Sequence, residues 1–271
     1  MFCYKKRIKF RILLQQLFKL INVMEQLKRY YCKTSSLHHF FMKQTRFLAL
    51  ISFFVIGLLL AFIPAPKTKT VVFFGDSITQ AAVKPGGYID VLNQELTKSG
   101  KSSRFNLVGA GISGNKVPDL QKRLATDVLA KKPDLVFIYI GINDVWHFTH
   151  PCCKDKAGGT PVGQYETGLK DIINQIKATG AKVVLCTPSV IGEKPDGSNA
   201  EDAMLEQYAT ISRKVARETK VKLCDLRTAF LKHLKEQNTE NAEQGILTTD
   251  RVHLNAAGNR LVAEQMLAYL K

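Results

Sequence analysis

A chain of 271 residues, 45% of them hydrophobic, is long enough for one well-cored domain and too short for two once a leader is set aside. Its formal charge of +16 invites a nucleic-acid partner, but residues 1–46 hold eleven of the lysines and arginines against one acid, Glu25, and alone carry +10. Residues 67–271 carry +6 spread along the sequence, which is ordinary solubility charge and not a phosphate-tracking stripe, so nucleic acid is set aside.

From Phe47 to Ile63 run seventeen uncharged, mostly large apolar residues, with Lys43 and Arg46 before them and Pro64-Ala65-Pro66 after. This is the layout of an export signal. Met42 would make a normal beginning for it, so residues 1–41 read as a basic extension from a mis-assigned start; the other reading is a genuine basic leader. Ala65 suits a signal peptidase and Pro66 hinders it, while the apolar run is at the short end for a membrane span. Residues 42–66 are therefore expected to be a signal peptide or an N-terminal anchor. Either way residues 67–271 are expected outside the cytoplasm: periplasmic, extracellular or tethered to the outer face of the inner membrane by 47–63, their only membrane contact.

From residue 70 onward short apolar runs alternate with amphipathic stretches. Strands are expected at Val71–Phe74, Phe105–Val108, Leu135–Ile140, Lys182–Thr187 and Val221–Asp225, each rich in Val, Ile, Leu or Phe as strands buried on both faces are. Between them the spacing predicts helices near Tyr88–Lys98, Pro118–Ala130, Tyr165–Thr179 and Ala200–Thr219, with Gly100 and Gly180 at helix ends. Two more follow, Thr228–Gln237 and Ala256–Leu270, the second behind Asn255 as N-cap. Strict β/α alternation predicts a parallel sheet with right-handed crossovers, a three-layer α/β/α sandwich. Of the six cysteines, Cys3 and Cys32 fall in the leader, Cys152 and Cys153 adjoin in a loop, and Cys186 and Cys224 each end an apolar run. Buried free thiols are the common reading of the last two, and an exported domain also leaves a Cys186–Cys224 bridge open.

Ligands of such sheets bind where strands end, so chemistry is sought there. After the first strand comes Gly75-Asp76-Ser77-Ile78-Thr79, a glycine turn that presents a serine at the sheet edge; taken alone it is equally a helix cap. After the second comes Gly109-Ala110-Gly111-Ile112-Ser113-Gly114-Asn115, where a backbone N–H can approach a ligand closely. After the third comes Gly141-Ile142-Asn143-Asp144, whose Asn143 amide can face an oxyanion or merely satisfy a turn. Near the C-terminus Asp250 stands three residues before His253, close enough to accept from the ring and leave the other nitrogen as a base. Half of a metal site and a capping Asp beside a surface His are the alternatives, and for a metal no further ligand stands at close spacing.

Gly75-Asp76-Ser77, Gly111 to Asn115, Gly141-Ile142-Asn143-Asp144 and Asp250-x-x-His253 resemble, in order, the four sequence blocks of the GDSL/SGNH hydrolase family, over roughly residues 70–270. Ile78 replaces the leucine of the name motif, as it does in other members. The resemblance implies a flavodoxin-like five-stranded sheet and an ester hydrolase with Ser77 as nucleophile, His253 as base and then acid, and Asp250 as its orienting carboxylate. It implies oxyanion donors from the backbone N–H of Ser77, the backbone N–H of Gly114 and the side chain of Asn143, with no metal or organic cofactor. The lysophospholipase-like and acetylesterase-like branch is the nearest, which leaves small acyl esters, lysophospholipids and O-acetylated carbohydrates as substrates. An acyltransferase using the same residues, or an idle carbohydrate-binding module on the same fold, are the alternatives; the second would be expected to have lost Ser77, Asn143 or His253. Trp146 and His147 open the loop that runs on through His150, Cys152 and Cys153, and are expected to shape the substrate pocket. The same string could form a zinc clip, although a structural site wants four tetrahedral ligands.

Overall fold

The computed structural model describes residues 67–150 and 158–270, with Gln15, Lys19, Asn22, Val23 and Gln26 from the leader. The chain divides into two units, Met1–Pro66 and Lys67–Lys271, and the second holds the sheet with the helices that cover it. The apolar run 47–63, the start at Met42 and the Cys152-Cys153 part of the zinc string lie outside the described residues. No described helix is long and apolar enough to cross a membrane.

Five strands form one parallel sheet: β1 (Lys69–Gly75), β2 (Phe105–Gly111), β3 (Leu135–Tyr139), β4 (Lys182–Cys186) and β5 (Lys222–Cys224). Their order is β2-β1-β3-β4-β5. This is the doubly wound, flavodoxin-like arrangement of the SGNH hydrolase fold, in which the chain first moves outward from β1 to β2 and then returns past β1 to β3. The reversal opens a crevice above the carboxyl ends of β1 and β3.

The helices are α1 (Ser77–Ala81), α2 (Tyr88–Lys98), α3 (Val117–Asp127), α4 (Ile142–Trp146), α5 (Val162–Ala178), α6 (Asp202–Glu218), α7 (Leu226–Gln237) and α8 (Ala256–Leu267). On one side α2 packs on α8 and α8 on α7; on the other α3 packs on α5 and α5 on α6. The anticipated elements are present, with ends moved by a few residues. Asp225 caps α7 by accepting from Thr228 N–H, which starts that helix at Leu226 instead of Thr228. Asn255 caps α8 as expected, accepting from Gly258 N–H. The two five-residue helices α1 and α4 are too short to show a hydrophobic period and were not anticipated. Both carry site residues.

Val71–Phe74 and Val136–Ile138 are wholly buried, since helices cover both faces of the central strands. Phe73 pairs with Phe137 in the β1–β3 register and their rings stack at 5.1 Å. Tyr88 of α2 meets Phe73 edge-on at 5.9 Å, so the layers interlock directly beneath the crevice. Cys186 and Cys224 face each other in the β4–β5 register as buried free thiols, with no bridge between them.

The crevice floor depends on close backbone approach. A Cβ on Gly111 would stand 2.1 Å from the Gln80 nitrogen and 2.6 Å from the Asp76 carbonyl oxygen, both backbone atoms that cannot swing aside. Gly111→Ala should therefore lower folding stability by about 2 kcal/mol or more, read from urea denaturation. Gly163→Ala in α5, where no atom stands within 4 Å of the added carbon, should be neutral or slightly stabilising.

Candidate active site

The site is built on the ends of β1, β2 and β3 and on the loop before α8. Asp76 ends the turn off β1 and caps α1 by accepting from Ile78 N–H at 3.0 Å, making Ser77 the first residue of that helix. The Ser77 hydroxyl lies 2.9 Å from His253 Nε2. The other ring nitrogen, Nδ1, lies 2.7 Å from Asp250 Oδ2. Asp250 Oδ1 also accepts from the backbone N–H of His253 at 2.7 Å and of Val252 at 3.2 Å. Burial works to raise the Asp250 carboxyl, but the backbone N–H and ring of His253 outweigh it and hold the group below the usual range. An ionised carboxylate only accepts, so Nδ1 carries the hydrogen and Nε2 is the acceptor for Ser77 O–H. A serine hydroxyl held on the free lone pair of an oriented imidazole can pass its proton to that ring.

The β2 and β3 loops meet beside this chain of hydrogen bonds. Gly141 takes φ +128° to start α4, a backbone shape that favours glycine, and α4 then turns Asn143 inward. Asn143 Nδ2 donates to the Asn115 carbonyl at 3.1 Å, which leaves its second amide hydrogen uncommitted by that bond. Gly114, with φ +76°, immediately precedes Asn115. The β2 loop is bound back to the serine turn by Ser113 N–H donating to Gln80 Oε1 at 2.7 Å. Trp146 and His147 follow Asn143 at helical spacings of three and four, on the same side of α4. Trp146 meets His150 edge-on at 4.4 Å, and burial, then nearby Lys116, lowers the His147 pKa.

Ser77, His253 and Asp250 are thus joined directly, and Gly114 and Asn143 are joined through Asn115. Sequence reasoning missed the group that links the two sets. Arg123 of α3 donates from Nε to Asn115 Oδ1 at 2.7 Å and from its terminal nitrogens to the carbonyls of Ala110 at 2.9 Å and Gly75 at 2.7 Å. Its guanidinium lies 4.5 Å from the Phe74 ring centre. In the sequence Arg123 is one more cation on an amphipathic helix, and nothing marks it as inward-facing. Among the described residues no group of three or more His, Cys, Asp or Glu side chains is placed to hold a metal ion.

Two acids beneath the site are wholly buried. Burial pushes Asp76 up to about 7, with Asp144 adding repulsion and the Ile78 N–H opposing both. Burial likewise lifts Asp144 to about 6, although its Oδ1 accepts from Val117 N–H at 3.0 Å.

A model of the GDSL-like lipase/acylhydrolase family matches residues 73–261. The chain is similar to a solved acetyl xylan esterase at 44% identity and a TM-score of 0.71, covering 74% of this chain and all of that one. An acetylxylan esterase of Geobacillus stearothermophilus is 32% identical over 73% of this chain and 92% of its own length. An uncharacterized lipoprotein of Bacillus subtilis (strain 168) is 26% identical over 78% of this chain and 95% of its own.

The raised Asp76 pKa has a consequence for stability. A carboxyl that holds its proton more tightly folded than unfolded favours the fold at low pH, and that contribution disappears as pH climbs through the folded value near 7. Wild type should lose stability relative to Asp76→Asn when urea midpoints are compared at pH 5 and pH 8. Parallel pH dependences in the two proteins would contradict a protonated Asp76.

Proposed function

The chain belongs to the GDSL-like lipase/acylhydrolase family and is a carboxylic ester hydrolase; from that premise we propose that Ser77, His253 and Asp250 are its catalytic triad and that its substrate is an acetyl ester of a carbohydrate. The observation that carries the triad is the unbroken run from Asp250 Oδ2 through His253 to Ser77 Oγ, at 2.7 and 2.9 Å, above the sheet's switch point. The names of the relatives support the substrate.

In this mechanism Ser77 Oγ attacks the ester carbonyl carbon while its proton passes to His253 Nε2. Asp250 holds the ring in the correct tautomer and stabilises the imidazolium. The carbonyl oxygen becomes an oxyanion, met by the backbone N–H of Ser77, the backbone N–H of Gly114 and the second amide hydrogen of Asn143. The bond from carbon to the alcohol oxygen then breaks, and His253 returns the proton to that oxygen. Water repeats the sequence on the acyl-enzyme and releases the acid. Trp146 and His147 rim the substrate on the Asn143 side, where an aromatic face suits a sugar ring.

The domain works outside the cytoplasm in this proposal, delivered by residues 47–63. The uncharged run behind Lys43 and Arg46 supports it, as does the lipoprotein among the relatives. Cell fractionation with and without residues 42–66 tests it: loss of export on their removal is expected, and unchanged export would contradict it.

Ser77→Ala should cut ester turnover by ~10⁴-fold or more with the fold intact, because triad members act as a unit. Asn143→Ala should cost ~10²–10³ in kcat with little change in KM, since the donor acts on the oxyanion and not on the ground state. Asp250→Asn should lower kcat/KM by ~10⁴, the fall that the corresponding change in serine proteases produces. Values of kcat and KM for p-nitrophenyl esters of increasing acyl length and for an acetylated xylo-oligosaccharide measure all of this. Wild-type kinetics in Ser77→Ala would overturn the triad, and preference for long acyl chains would overturn the substrate.

A further inference from the structure

One fully buried carboxylate plays no part in the proton chain of Ser77. Glu193 lies in the segment between β4 and α6, with no solvent exposure. Its Oε1 accepts from Leu247 N–H at 2.8 Å, Thr248 N–H at 2.5 Å and the Thr248 hydroxyl at 2.7 Å; its Oε2 accepts from Ile246 N–H at 2.7 Å. Its backbone is equally committed. The Glu193 N–H donates to the Glu243 carbonyl at 3.0 Å, and its own carbonyl accepts from Asn238 Nδ2 at 2.8 Å. The preceding Gly192 N–H donates to the carbonyl of Arg251, inside the Asp250–His253 stretch, at 2.9 Å.

A carboxylate in the core is costly unless donors surround it. Here three successive backbone N–H groups converge on one, as in the concavities that bind anions. Charge-assisted bonds of this kind are about twice as strong as neutral ones and fix direction. What they fix is the stem of the loop that carries the base. Thr248 and Leu254 bridge across it, Thr249 N–H donates to the His253 carbonyl at 2.8 Å, and Asn255 N–H donates to the Leu247 carbonyl at 3.0 Å. Asp250 and His253 stand at the tip of this closed loop, and Glu193 grips its first strand.

Resting on the proposed roles of Ser77 and His253, we propose that Glu193 is a positioning residue for the reaction, setting the Asp250–His253 pair against Ser77 through residues 246–248. Arg251 takes φ +78° between the two, so the loop has a strained shape that an outside anchor must hold. A displacement of about 1 Å at a reacting group costs on the order of 10²-fold in rate, which makes a rigid stem part of the chemistry.

Glu193→Gln tests this, because its amide nitrogen must replace one oxygen in a ring of donors. Turnover is measured per active serine, counted by stoichiometric labelling with a serine-directed phosphonate, so that loss of folded enzyme does not register. The expected result is a fall in kcat of ~10–100-fold per labelled site, KM within about twofold, and a shifted or broadened low-field proton signal from the His253 Nδ1–H bonded to Asp250. Wild-type kcat per labelled site with an unchanged proton signal would overturn the proposal. If Glu193→Gln does not fold, Thr248→Val removes one donor and keeps the rest. A several-fold loss of kcat that Thr248→Ser restores supports the proposal, and no loss overturns it. Absence of phosphonate labelling at Ser77 in the wild type would instead overturn the serine mechanism, which keeps the two failures distinct.

Discussion

The hydrogen bond from the Ser77 hydroxyl to His253 Nε2 joins residues 176 apart in sequence at 2.9 Å. No local propensity can make that contact; it exists because the sheet and its helices return the chain to the same edge. Residue 77 is fixed by β1, which is central and paired on both sides. Residue 253 is fixed by α8, which packs against α2, and by the loop stem gripped by Glu193. The core therefore has a kinetic as well as a thermodynamic task. A lost methylene under β1 or α8 matters to the reaction as soon as it loosens one of these supports, since packed interiors pass small displacements on.

Charge is distributed around this bond with a consistent logic. Asp250, the acid bonded to the His253 ring, is half-exposed and takes three hydrogen bonds from residues 252 and 253. Asp76 and Asp144, the acids beneath the serine and beside Asn143, are wholly buried and pushed toward neutrality. Burial raises the pKa of both, which lessens the negative charge that stands beneath the Ser77 turn. Arg123 pairs with Asp127 at 2.8 Å and donates its remaining hydrogens to the carbonyls of Gly75 and Ala110 and the side chain of Asn115.

Much of this was legible in the sequence. Strands buried on both faces write themselves as unbroken apolar runs, and the alternation of those runs with amphipathic stretches dictates a parallel sheet. The switch-point rule then places Ser77, Gly114 and Asn143 at neighbouring strand ends, and the three-residue spacing brings Asp250 onto His253 within one turn. What the sequence concealed are groups whose meaning depends on distant partners. Arg123 has the spacing of a solvated helix residue, and Glu193 stands in a polar loop, where an acid is ordinarily exposed. Neither has a local pattern, because the backbone carbonyls that Arg123 serves lie 13 and 48 residues away and the donors that meet Glu193 lie 53 to 55 away. The short helices α1 and α4 escaped for a related reason: five residues contain too little of the 3.6 period to be seen.

The most direct test of the serine mechanism is acid-quenched peptide mass spectrometry of the enzyme during turnover of p-nitrophenyl acetate. An acetyl group is predicted on the peptide containing Ser77, accumulating where water is slow to resolve it. An acetyl group on another residue would contradict that mechanism and the roles of His253, Asp250 and Glu193 that depend on it.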